Sequence, residues 1–176
     1  MERETQVQLI DRILQLEADN TTDMVERSGS VAVDQYLDTQ QFANEEQALF
    51  RRLPLVLGHA SQLPESGDFL TRDVCGVPVI LLRDNQGVLR AFINVCKHRG
   101  GRLVREAEGK NLRVLVCQYH AWSYNTDGGL RAIPHRDGFS DLPDNCKSLS
   151  ELPLLERYGL LWVRLTPYAA DESQED

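Results

Sequence analysis

Two short strings constrain this chain more than anything else in it. Cys96-Lys97-His98 and, after an eighteen-residue gap, Cys117-Gln118-Tyr119-His120 each offer one thiol and one imidazole. A C-x-H and a C-x-x-H both turn tightly enough to aim their two side chains at one point. Thiolate and imidazole ligands suit iron–sulfur clusters, zinc and copper. Two arrangements use this set. A [2Fe–2S] centre takes two thiolates on one iron and two imidazoles on the other. Structural zinc takes all four on one tetrahedral ion. In the first arrangement each string gives its Cys to the inner iron and its His to the outer one. Either way, the fold must present the strings as two loops that face each other.

The length of 176 residues suits one domain, or one domain with an extension, and 41% apolar residues is ordinary for a globular protein. No window approaches eighteen apolar residues, so no transmembrane helix is expected. The start, Met1-Glu2-Arg3-Glu4, lacks an apolar signal core, which predicts a cytoplasmic protein. A formal net charge of −8 argues against nucleic acid and anionic membrane as partners. For an electron carrier, that charge favours a partner with a basic docking face. In a reducing compartment the remaining cysteines, Cys75 and Cys146, are expected to stay free structural thiols. His59 and His135 lie in no ligand pattern and read as surface or hydrogen-bonded residues.

Glu4 to Leu16 reads as an amphipathic helix, with Val7, Ile10 and Leu14 on one stripe and Ile13 beside it. It reads as a packing arm or subunit contact. Asn20 to Ser30 is polar and turn-rich, a linker. Asn44 followed by Glu45, Glu46 and Gln47 reads as a helix start, and that helix should stop before Pro54. Short strands then follow: Leu55–Gly58, Phe69–Asp73, Val77–Arg83, Val88–Val95, Arg113–Val116, Trp122–Asn125, Leu130–Ile133 and Tyr158–Leu165. Asp84-Asn85-Gln86-Gly87 and Asp127-Gly128-Gly129 are hairpin turns. Many short strands closely spaced by turns predict a mainly β fold, an antiparallel β-sandwich or barrel with an N-terminal helical extension. The expected organisation is an arm and linker over 1–35, a domain over 36–167 that carries both ligand strings, and a disordered acidic tail over 168–176.

The string CKHRGG followed by CQYHAWSYNTDGGL resembles the Rieske domain of the Rieske non-haem iron oxygenases, the ring-hydroxylating family, in its α subunit. The likeness extends upstream through GHASQLPESGDFLTRDVCGVPVILLRDNQGVLRAFINVC and downstream through LRAIP and ERYGLLWVRLTP. It departs at Ala121, where the family has Gly and where a methyl is expected to crowd the loop. It departs also at Leu53 and Pro54, in place of a Trp. The resemblance implies one [2Fe–2S] cluster on Cys96, His98, Cys117 and His120. Arg99, Gly100, Tyr119 and Trp122 would surround it. Gly100 is expected to permit a positive φ, and Arg99 either pairs with an acid or tunes the cluster.

Rieske proteins of the respiratory and photosynthetic chains link the two ligand loops by a disulfide. Gly101 and Tyr119 stand at those positions here. Those proteins also place a Ser shortly after the last His, where this chain has Ala121 and Trp122. Both differences imply the low-potential type, within a window of about −150 to +300 mV for His-ligated clusters. The implied partners are a reductase or ferredoxin as donor and an oxygenase catalytic domain or subunit as acceptor, with homo-oligomers among the family's habits. The expected activity is electron transfer without a mononuclear-iron site, because no acid followed by closely paired His occurs in the chain. A self-contained Rieske ferredoxin is the alternative, and a Cys2His2 zinc module a remote one. The imidazoles are expected to be the ligands nearest the surface and the point of electron exit.

Overall fold

The computed structural model of the protein describes residues 1–143 and 146–167; the tail expected at 168–176 lies outside them. The chain forms two compact units, Met1–Asp38 and a second from Thr39 on. In the first, α1 (Arg3–Ala18) buries none of its residues, and Val7, Ile10, Ile13 and Leu14 are exposed. An Arg12–Asp23 ion pair ties the following segment back to it, and a short α2 (Asp34–Leu37) closes the unit.

The second unit begins with α3 (Thr39–Glu45), which runs into one π-helical turn, Glu46–Phe50. The helix therefore starts five residues before Asn44, which is not its cap. The extended backbone of Asp38 immediately precedes it. Inside the helix the Asn44 side chain accepts from Gln40 Nε2 at 3.1 Å, a pair one turn apart. The helical segment does end before Pro54, as the missing N–H and the ring of proline require.

Ten strands follow among the described residues. β1 (Leu55–His59), β9 (Leu154–Arg157) and β10 (Leu160–Val163) form one antiparallel sheet in the order β1-β10-β9. β2 (Phe69–Val74), β3 (Val77–Arg83), β4 (Leu89–Ile93) and the two-residue β5 (Glu108–Gly109) form a second, in the order β4-β3-β2-β5. β6 (Val114–Val116), β7 (Ser123–Asn125) and β8 (Leu130–Ala132) form the third. β3 explains the layering. Val79, Ile80, Leu81 and Leu82 are all fully buried, so this strand is covered on both faces, and a continuous apolar run is what such a position demands. Val79 and Leu81 join Leu57, Leu63, Leu161 and Val163 in one core. Ile80 and Leu82 join Phe92, Leu115, Trp122, Tyr124 and both ligand-string cysteines in the other.

Tight turns fix the registers. Cys75 and Gly76 have φ of 49° and 74° and join Val74 to Val77, the pattern of a type I′ hairpin. Tyr158 and Gly159, at 56° and 78°, do the same between Arg157 and Leu160. Tyr158 is thus a turn residue and not the start of a strand. At Asp84 the side chain builds the turn. Its carboxylate, 1% exposed, accepts from the backbone N–H groups of Gln86 and Val88 at 2.8 and 2.9 Å and from Arg90 Nε at 2.8 Å. Arg90 also reaches Glu151.

Candidate metal centre

Both ligand strings are six-residue loops between antiparallel pairs. Val95 opposite Arg102 flanks residues 96–101, and Val116 opposite Ser123 flanks residues 117–122. The two loops share one hydrogen-bond pattern. The Cys96 N–H donates to Gly101 O at 2.8 Å and the Gly100 N–H to Cys96 O at 3.0 Å; the Cys117 N–H donates to Trp122 O at 2.8 Å and the Ala121 N–H to Cys117 O at 2.9 Å. In each, the residue four beyond the cysteine is left-handed, Gly100 at φ 71° and Ala121 at φ 55°. The Ala121 methyl is exposed, so the expected crowding does not occur. The cost of alanine here is one of backbone conformation, about 1–2 kcal/mol for an L-residue in this region.

Cys96 and Cys117 are buried. His98 and His120 are half-buried, and their rings meet edge to face with centroids 4.8 Å apart. Trp122 stacks on His98 at 4.8 Å and 3° between planes. Phe139 closes edge-on against both, at 5.8 Å from His98 and 5.2 Å from Trp122. Tyr119 lies over His120 at 3.8 Å while remaining 64% exposed. A Cβ placed on Gly101 would sit 3.4 Å from Cys117 Sγ and 3.9 Å from Tyr119 Cβ, so Gly101 and Tyr119 do face each other across the loops. Arg99 is exposed and has no ion pair or hydrogen bond among the described residues.

The burial of Cys96 pushes its thiol above the usual range; the Tyr124 hydroxyl and the His98 N–H oppose this, and the adjacent Cys117 thiol reinforces it. Burial also holds the His98 imidazole below its ordinary value, with the nearby His120 and Arg99 adding to the effect. His120 Nδ1 is a buried nitrogen with no hydrogen-bond partner. Buried polar atoms are seldom left so, and an orphan commonly marks a missing ion.

Several supporting residues were not singled out in the sequence. Tyr124 is fully buried; its hydroxyl accepts from the Lys97 N–H at 3.1 Å and lies 3.4 Å from Cys96 Sγ. Asn94 clamps the base of the first loop, its side chain exchanging two hydrogen bonds with the Val104 backbone at 2.7 and 3.0 Å. An Asn inside the apolar run AFINVC was the available signal. Phe139 offered none, since its turn is remote in sequence. Of the other histidines, His59 caps the Ala60–Gln62 turn through Ser61, and His135 opens the Arg136–Phe139 turn. Cys75 is a half-buried free thiol, and Cys146 is half-buried.

Comparison with known proteins accords with this geometry. The Rieske [2Fe–2S] domain family matches residues 54–152. The carnitine monooxygenase oxygenase subunit of Escherichia coli K12 is 33% identical over 134 residues, 76% of this chain and 36% of that one. The biphenyl 2,3-dioxygenase α subunit of Rhodococcus jostii is 38% identical over 112 residues, 64% of this chain and 24% of that one. A solved quaternary ammonium Rieske monooxygenase, described for carnitine oxidation and inter-subunit electron transfer, superposes with a TM-score of 0.71 at 32% identity, covering 76% of this chain and 36% of that one. The chain belongs to the Rieske [2Fe–2S] domain family, and its likeness to oxygenase α subunits falls on their Rieske part. It spans about a third of the length of the curated relative from E. coli.

The family carries one Rieske cluster, and the residues present fit it. Two thiols lie deep, two imidazoles lie nearer the surface, and the orphaned His120 Nδ1 supplies a donor without a partner. Among the described residues no three His, Cys, Asp or Glu side chains are placed to hold a single metal ion. A binuclear centre, with two protein ligands per iron, is compatible with that. Among the described residues no helix is long and apolar enough to cross a membrane.

Proposed function

We propose that the chain is the electron-transfer portion of a Rieske oxygenase. It takes single electrons from a reductase or ferredoxin and delivers them to a mononuclear-iron site on another chain or on a further part of the same polypeptide. Cys96 and Cys117 serve the inner iron, and His98 and His120 the outer one. The observation that carries this reading is the convergence of two six-residue loops, which sets two imidazoles at 4.8 Å over two buried thiols. The bound cluster supplies a one-electron couple.

The protein's own side chains do the rest. Leu115, Tyr124 and Trp122 keep the cysteines dry, which lowers the local dielectric and sharpens every charge effect there. Trp122 and Phe139 hold the His98 ring in place, and Tyr119 covers His120. The imidazole edge is the part of the site nearest solvent, and so the point where electrons enter and leave. The inter-subunit electron transfer described for the quaternary ammonium monooxygenase supports an acceptor outside this segment.

The test is anaerobic isolation followed by iron, sulfide and zinc analysis and a one-electron titration. Equal iron and acid-labile sulfide are expected, with loss of both in Cys96→Ala, which leaves the inner iron open. Stoichiometric zinc without iron in freshly isolated protein would overturn the assignment.

A further inference from the structure

We propose that the imidazole edge is a basic docking face for an acidic one-electron carrier protein, although the chain as a whole is acidic. This rests on the electron-transfer reading above and adds the sign of the partner. The net charge of −8 is unevenly distributed. Residues 1–38 hold nine acids against three bases, and residues 168–176 hold four acids and no base. Residues 39–167, which contain the whole site, hold sixteen bases against fourteen acids. The segment 97–113, from the first ligand loop to the start of the third sheet, holds six bases against two acids.

Geometry puts unneutralised charge at the site itself. Arg99 follows His98 directly, is exposed, has no ion pair among the described residues, and stands close enough for its charge to act on the His98 ring. Arg136 is exposed in the turn whose Phe139 packs on His98. Residues three apart in a 3₁₀ turn eclipse, so Arg136 and Phe139 leave it on the same side. Asp137 and Asp141, in and just beyond the same turn, oppose Arg136, and Asp73 is already paired with Arg102. Tyr119 stands 64% exposed over His120. Tyrosine and arginine are the residue types enriched where proteins dock. Charges farther away than about 8–10 Å are screened at physiological salt, so the local rim and not the total governs close approach.

The test is stopped-flow electron transfer into the oxidised, cluster-loaded protein from a reduced acidic plant-type [2Fe–2S] ferredoxin, at increasing salt. The rate should fall as salt rises. The double variant Arg99→Glu with Arg136→Glu should be slower by about tenfold at low salt, the lower end of what steering supplies, and should converge with the parent at high salt. If that variant does not keep its cluster absorption, Arg99→Gln and Arg136→Gln replace it and should each flatten the salt dependence. Ferricyanide and tris(phenanthroline)cobalt(III), oxidants of opposite charge, should show opposite salt trends with the reduced protein, the anion slowing as salt rises. A ferredoxin rate that rises with salt, or one indifferent to both arginines, overturns the proposal and leaves the function standing. A cluster-loaded protein that exchanges electrons with none of the three probes overturns both.

Discussion

Replacing Tyr124 by Phe separates what its hydroxyl does for the fold from what it does for the cluster. The ring is fully buried in the core that holds both cysteines, and Phe preserves that packing. The hydroxyl has two neighbours, and their chemistry fixes its direction. The Lys97 N–H can only donate, so it gives its proton to Oη at 3.1 Å. The hydroxyl proton then points to Cys96 Sγ at 3.4 Å, the sole acceptor of the pair once the thiol is deprotonated. Burial raises the Tyr124 pKa well above the usual phenol range, which favours the protonated hydroxyl at neutral pH.

Removing the hydroxyl leaves the half-buried Lys97 N–H unpaired, at about 1–2 kcal/mol. At about 2–4 °C per kcal/mol for a chain of this size, Tm should fall by about 2–8 °C. The redox effect is smaller, because only the difference between oxidation states counts. A donor to the sulfur favours the more negative, reduced state. If about a third of a bond worth about 1.5 kcal/mol is differential, the potential falls by about 20 mV, at 59 mV per tenfold for one electron. Differential scanning calorimetry and protein-film voltammetry on the same samples measure both. A lowered Tm with an unchanged or raised potential, in protein that keeps its cluster, would refute the donor role and leave Tyr124 a packing residue.

Two further substitutions test the scaffold. Ala121→Gly should stabilise the protein by about 0.5–1 kcal/mol, because relief of the left-handed strain at φ 55° exceeds the extra unfolded-state freedom of glycine; thermal unfolding should show a higher Tm, and an equal or lower one would mean that Ala121 is not strained. Asp84→Asn should flatten the acid limb of the stability profile, followed by urea midpoints from neutral pH down. Burial pushes the Asp84 carboxyl up, but the Arg90 guanidinium and the Val88 and Gln86 N–H groups together outweigh it and hold it below the usual range. Its contribution is therefore complete above the unfolded value of about 3.9 and is lost as pH falls through the lower folded value. Identical acid limbs in parent and variant would show that the carboxylate contributes no net stability.

The site was legible where rare chemistry is local and silent where it is assembled across the chain. Cys96, His98, Cys117 and His120 announce themselves because few structures need a thiol and an imidazole two or three residues apart. β3 was legible to the residue because VPVILLR is a short β-branched and aliphatic run bounded by turn signals; that it is covered on both faces appears only in the packing. β9 was missed because LLER is short and half polar, and because its turn uses Tyr158 at φ 56°, a conformation that no propensity assigns to an aromatic residue. Tyr124 is separated by twenty-seven residues from the N–H it accepts, so its role exists only once the two loops have met.

Total and local charge point different ways. The total of −8 favours a basic partner, whereas thirteen of the acids lie in residues 1–38 and 168–176 and unpaired Arg99 stands beside His98. Net charge adds every residue with equal weight; a docking partner weighs each by distance and screening. The loops make the same point in backbone form. CKHRGG and CQYHAW share little but their ligands, and Ala121 at the fourth step of the second, where the family has Gly, reads as a loss of room. Both loops place that step in the left-handed region and close with the same pair of hydrogen bonds. What the two strings have in common is therefore a conformation as much as a ligand set, and Ala121 is tolerated because six residues and two closing bonds hold it there.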